Sequence, residues 1–172
     1  FWSFYNLDRF NIMCIDVPWG ATPRNAISYD NPEDKILIDC MISPNDIKTQ
    51  PDICVDIRIP NEFNPVGKFN IGITAGVETT AVSQAFIEGC NKMDLVIVPS
   101  HHSKMGFLNT KYDKMQPTPD GQQQKIGELT LQKPMEVLFE GTDINVWKPL
   151  SKNEVNENIL DDINNEVKEN FA

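Results

Sequence analysis

Hydrophobic and polar positions divide the chain into runs of two periods. Phe69 to Thr74 is a short apolar run that ends in Ala75 and Gly76, the pattern of a strand leaving into a turn. From Val82 the period changes. Val82, Ala85, Phe86, Cys90 and Met93 recur at steps of three and four, which predicts one apolar helix face. Leu95, Val96, Ile97 and Val98 then form an unbroken apolar run stopped by Pro99 and Ser100. A continuous run suits a strand buried on both faces of a parallel sheet. The block from Phe69 to Lys104 therefore predicts a strand–helix–strand unit with a second helix following, and the rest of the chain frames it.

Further runs extend the pattern. Asn11–Val17, Ile53–Ile59 and Met135–Phe139 read as strands. Asn31-Pro32, with Glu33 and Asp34 behind, is a helix start that would carry Ile36, Leu37, Met41 and Ile42 inward. A short helix is expected beyond Ser100, with Met105, Phe107 and Leu108 on its apolar side. Ser151 and Glu154 have capping-box spacing, and Val155, Ile159, Ile163 and Val167 step by four after them, predicting a final amphipathic helix. Thr110–Gln124, rich in glutamine and broken by two prolines and a glycine, reads as a mobile loop. Together these elements predict an α/β chain: a Rossmann-like open, mostly parallel sheet with helices on both faces.

Composition narrows the partners. At 172 residues, 40% apolar and 23% charged, the chain has the length and balance of one ordinary globular domain. A formal net charge of -10 argues against nucleic acid, which needs a basic footprint. Six acids against two lysines between Ser151 and Ala172 read as a solvated helix face. The four cysteines, Cys14, Cys40, Cys54 and Cys90, are widely spaced in apolar surroundings without a CxxC pair. They read as small buried hydrophobes in a reducing, cytoplasmic setting rather than as a disulfide frame or metal site. No apolar run reaches membrane-spanning length.

Candidate chemistry lies where the central strands end. Ligands of open parallel sheets collect beyond the carboxyl ends of the strands. Those exits carry Glu78, Thr79 and Thr80 after the first strand of the block, and Ser100, His101 and His102 after the second, with Lys104 one residue further but one. Taken singly, Thr79, Thr80 and Ser100 are better explained as helix caps, and Glu78 as a complement to a helix dipole, than as ligand contacts. Two polar clusters at adjacent exits nevertheless predict a cleft. A histidine there is either a proton donor to a ligand or a solvated cap. Trp19 and Arg24 in PWGATPR offer an aromatic face and a guanidinium for a sugar or phosphate, or simply for one another.

Several chemistries lack their residues. No GxGxxG follows a strand, and no Walker sequence is present. Ser100 has no Gly-x-Ser-x-Gly elbow, which weakens a hydrolase reading. His101 and His102 are the only histidines, and helical neighbours point about 100° apart, so a shared metal is not expected.

ITAGVETTAVSQAFIEGCNKMD, DLVIVPSHHSK and VLFEGTDINVWKP occur in that order, and with them the chain resembles the N-terminal half of a GT-B glycosyltransferase of the retaining group 1 type. The first segment resembles an acidic residue and helix before the family's D-x-ϕ-x-ϕ-x-S strand, and the second resembles that strand and its exit. The third resembles the family's N-G-V-D-x-x-x-F-x-P turn, with Gly141, Asp143 and Pro149 matching, Trp147 in place of Phe and Glu140 in place of Asn. The likeness spans about Asn11–Pro149.

The resemblance implies an acceptor-side domain over residues 1–150, lacking its first elements, and a helix at 151–172 leading toward a C-terminal nucleotide-binding domain. The aromatic opening FWSFYNLDRF and the closing Phe171-Ala172 are accordingly expected to continue into further sequence, with a targeting segment upstream one option. It also implies a glycosyltransferase that moves a sugar from a nucleotide-sugar donor to an acceptor without a cofactor or metal. Glu78, Thr79, Ser100, His101, His102 and Lys104 would line the substrate cleft, and Gly141 and Asp143 would sit at the hinge. No E-x7-E pattern in a strand–loop–helix setting is present, so the fragment alone is expected to be inactive. A non-catalytic Rossmann-like binding domain is the alternative.

Overall fold

A computed structural model of the chain describes residues 1–172 except Pro18, Trp19, Arg24, Val146, Lys152, Asn153, Val155, Asn156 and Ala172, and excepting the side chains of Glu157 and residues 167–171. The PWGATPR pair, Trp19 and Arg24, and the helix positions Val155 and Val167 thus fall outside what is described.

The sheet is α/β in the predicted sense. Strands β1 (Ile53–Ile57), β2 (Phe69–Ile73), β3 (Leu95–Val98) and β6 (Met135–Val137) form an all-parallel sheet in the order β1-β2-β3-β6. Strands β4 (Tyr112–Pro117) and β5 (Gln123–Leu129) form a separate antiparallel pair. Helices α1 (Trp2–Tyr5), α2 (Pro32–Asp39), α3 (Gln84–Cys90), α4 (His101–Asn109) and α5 (Glu157–Phe171) complete the element order. The result is a Rossmann-like open sheet flanked by helices.

Register explains the core. Gly72 pairs with Val96 and Val96 with Met135, so alternate residues of three strands share one face. On that face Val96, Val98 and Met135 meet Ile87 and Cys90 of α3, Phe107 of α4, and Phe63, Val82, Met93 and Leu129 in one buried cluster. Strand order advances steadily from β1 to β6, and α3 and α4 both pack against this face. On the opposite face Ile71, Ile73, Leu95 and Ile97 are half-buried, while Ile53, Ile57 and Phe69 toward the β1 edge are exposed.

The close fit of α3 depends on Gly89. A Cβ there would lie 1.9 Å from the Pro60 carbonyl oxygen, in the 3-10 turn Pro60–Glu62 that follows β1. Only glycine allows the helix to approach that turn. Ser83 caps α3 through the Phe86 N–H, so the helix begins just after the buried Val82 that opens its apolar pattern.

Two expectations are corrected. Asn11–Val17 is not a strand. Only Cys14 pairs, with Met41 in an isolated parallel bridge. Alternation alone does not make a strand without a ladder partner, and the chain after Met41 turns at Pro44 into a 3-10 turn within three residues. Thr110–Gln124 is not a mobile loop but most of a hairpin. Its turn closes through Thr118 N–H to the Gln122 carbonyl at 2.8 Å, Gly121 N–H to the Thr118 carbonyl at 2.9 Å, and a Thr118–Asp120 side-chain hydrogen bond. Gly121 supplies the positive φ, +80°, that this turn requires. Lys125 adds a cross-strand ion pair to Asp113 at 2.6 Å.

At the C-terminal end, Glu154 Oε2 accepts from Ser151 N–H at 2.9 Å and from its hydroxyl at 2.8 Å. Helix α5 is described from Glu157, and Ile159 and Ile163 on it are exposed.

Candidate functional site

The two exits come together through α4. Ser100, two residues after β3, caps α4, its hydroxyl oxygen accepting from the Ser103 N–H at 3.1 Å. This is the capping role the residue type predicts. Ser103, which the sequence reading passed over, then reaches back to the exit of β2: its hydroxyl donates to the Ala75 carbonyl at 3.3 Å. Gly76 beside it has φ +81°, and a Cβ there would lie 2.6 Å from Ser103 Oγ. The turn after β2 is thus laid directly on the first turn of α4, with glycine required on two counts.

The same loop is fastened further along. His102 Nε2 lies 3.2 Å from the Glu78 carbonyl oxygen, which makes that nitrogen the N–H-bearing one when the contact is a hydrogen bond. Thr79 Oγ1 donates to the Ala81 carbonyl at 2.7 Å. Val82 N–H donates to Thr110 Oγ1 at 3.0 Å, and Tyr112 donates its hydroxyl to the Val82 carbonyl at 2.7 Å. Thr110 in turn donates to the Gly106 carbonyl at 2.7 Å. The irregular segment from Ala75 to Val82 is held in one shape by both ends of α4 and by Tyr112.

Of the predicted site residues, Ser100, His101, His102 and Lys104 are therefore neighbours on the opening turn of α4. Glu78 joins them by its main-chain carbonyl, while its side chain is exposed. Thr79 is exposed and turned into its own loop. Lys104 Nζ reaches Glu136 Oε2 on β6 at 3.4 Å, tying the site to the next strand. His101 makes an edge contact with Phe139, centroids 6.0 Å apart, just beyond β6. Gly141 and Asp143 follow in the exposed segment after β6. Asp143 Oδ1 accepts from the Asn145 N–H at 2.8 Å and its carbonyl accepts from the Trp147 N–H at 2.8 Å, a turn closed upon itself. These two residues are not joined by any described hydrogen bond to the α4 cluster.

Ser103 and Glu136 are neighbours of this candidate cluster that sequence reasoning missed. Ser103 stands on the same helical face as Ser100, three residues on, a spacing legible in SHHS. Glu136 becomes a neighbour only through the β3–β6 pairing, which no local pattern reveals.

Two further groups belong to the scaffold. Asp94, at the opposite end of β3, accepts from Asn70 N–H at 2.8 Å and from Asn70 Nδ2 at 3.2 Å, and these bonds hold its carboxyl below the usual range. Its role in joining β2 to β3 is structural. Burial pushes the Cys90 thiol up to about 12, so it is a core residue rather than a nucleophile. Among the described residues no group of three or more His, Cys, Asp or Glu side chains is placed to hold a metal ion. Nor is any helix among them long and apolar enough to cross a membrane. No family model, curated protein or solved structure matches the chain.

Proposed function

We propose that this chain is the acceptor-side half of a glycosyltransferase that transfers a sugar from a nucleotide-sugar to an acceptor, and that sugar or phosphate oxygens bind at the opening turn of α4. One observation carries the reading: Ser100, His101, His102 and Lys104 sit at the carboxyl end of a parallel strand, beside the exit of its neighbour β2. Open parallel sheets bind ligands at this end. The order of the three resembling segments supports the same assignment. Within it, His102 and Lys104 supply the donors for an oxygen-rich ligand, and Lys104 exchanges its exposed partner Glu136 for the ligand. Transfer requires donor and acceptor held in one geometry, so activity belongs to the longer protein.

A second reading, a binding or interaction domain without catalysis, is favoured by one specific feature. Glu78 meets His102 through a carbonyl, and Lys104 is paired with a carboxylate, so no described acid–base pair converges on a reacting position. The test is a transfer assay on the longer gene product with a panel of nucleotide-sugars, alongside His102→Ala and Lys104→Ala. The transferase reading expects turnover that falls at least tenfold in both variants. Ligand binding without turnover, lost in the same variants, selects the binding domain. Turnover and binding that survive both substitutions overturn the α4 assignment.

A further inference from the structure

Cys14 and Cys40 meet where the N-terminal segment touches the end of α2. Cys14 N–H donates to the Cys40 carbonyl at 2.9 Å, and Ile42 N–H donates to the Cys14 carbonyl at 2.9 Å. A direct main-chain hydrogen bond between two residues holds their Cα atoms about 5–6 Å apart by bond-length arithmetic. That falls within the roughly 4.4–6.8 Å a disulfide spans. Cys40 is the C-cap of α2, with φ -85° and ψ -8°. The chain turns there, so Cys40 is not committed to the face opposite Met41 as it would be in an extended strand.

Neither thiol is sealed in the core. Both are half-buried. Burial raises the Cys14 pKa, and the nearby Cys40 raises it further, the behaviour of two sulfurs that would become like charges in one place. The remaining cysteines differ: Cys54 belongs to β1, and Cys90 is sealed within the core. Half-burial of Cys14, Cys40 and Cys54 corrects the reading of all four as small buried hydrophobes.

We propose that Cys14 and Cys40 are a redox-active dithiol that forms an intramolecular disulfide by exchange with a small disulfide such as oxidised glutathione. The thiolate of one cysteine attacks a glutathione sulfur, forming a mixed disulfide and releasing one glutathione thiolate, which takes a proton from water. The second cysteine, as thiolate, attacks the protein sulfur of the mixed disulfide and releases the second glutathione. Two protein thiols are oxidised to one disulfide while one glutathione disulfide is reduced to two thiols. The bond would fix the N-terminal segment to the end of α2 at a point now joined by two main-chain hydrogen bonds. Only the thiolate attacks, so the exchange accelerates as pH rises, and burial, which raises the Cys14 pKa, slows it at neutral pH.

The experiment is incubation of the folded chain with oxidised glutathione, acid quenching, alkylation of free thiols and peptide mapping by mass spectrometry, with circular dichroism confirming the fold. The expected result is a loss of two hydrogens, one peptide pair linking Cys14 to Cys40, and alkylation at Cys54 and, after unfolding, Cys90. Cys14→Ser and Cys40→Ser should each stop at a single mixed disulfide on the remaining cysteine of the pair. A link to Cys54, mixed disulfides persisting on both Cys14 and Cys40, or a bond that forms only in denaturant would each overturn the proposal.

Discussion

Gly89 is the residue whose replacement is most constrained. Because the Pro60 carbonyl occupies the space of its Cβ, Gly89→Ala must push α3 away from the turn after β1. Overpacking of this kind costs about 1–3 kcal/mol, and a main-chain obstacle places it at the upper end. Urea unfolding should show that loss, even though alanine is the better helix former by about 1 kcal/mol. A neutral or stabilising result would mean that α3 does not approach Pro60 so closely. Asp94 gives a pH-dependent counterpart. Its folded pKa is depressed, so its contribution is present at neutral pH and disappears as pH falls below the ordinary value of 3.8 through the folded one. Asp94→Asn should lower the melting temperature at pH 7 and flatten part of the acid limb of the stability profile. An unchanged limb would remove Asp94 from the β2–β3 connection.

At the scale of elements, the sheet has two unequal faces. Val98 is fully buried under α3 and α4, whereas Ile57 is 65% exposed. Val98→Asp should abolish cooperative thermal unfolding, because it buries a charge without a partner. Ile57→Lys should change stability by no more than about 0.5 kcal/mol. If both prove equally damaging, something covers the β1 edge in solution. The elements also show what was legible beforehand. Central strands and α4 were readable because their apolar runs are dense and ended by Pro99, Ser100 or Gly76, signals that are local. The hairpin was not, because Lys114, Gln116, Gln123 and Gln124 lack a strand composition. It is held instead by a turn at Thr118–Gly121 and by anchors at Tyr112 and Leu129 that only the fold supplies. Asn11–Val17 failed in the opposite sense, having a strand composition without a strand to join.

For the whole molecule, the four-stranded sheet fixes where ligand chemistry can be placed. The predicted residues at 100–104 fall together because one helix turn carries them, and that was visible in the sequence. That Glu78 takes part through its carbonyl, and that Gly141 and Asp143 form a turn of their own, depends on three-dimensional placement that residue types do not encode. The central claim is that oxygen-rich ligands bind at the opening of α4. Titrating the isotope-labelled chain with nucleotide-sugars and short oligosaccharides, and following its amide resonances by NMR, tests this most directly. The account predicts concentration-dependent shifts confined to Ala75–Thr80, Ser100–Lys104 and Glu136, which disappear in the His102→Ala variant. Shifts that cluster elsewhere, or none at millimolar ligand, would contradict it.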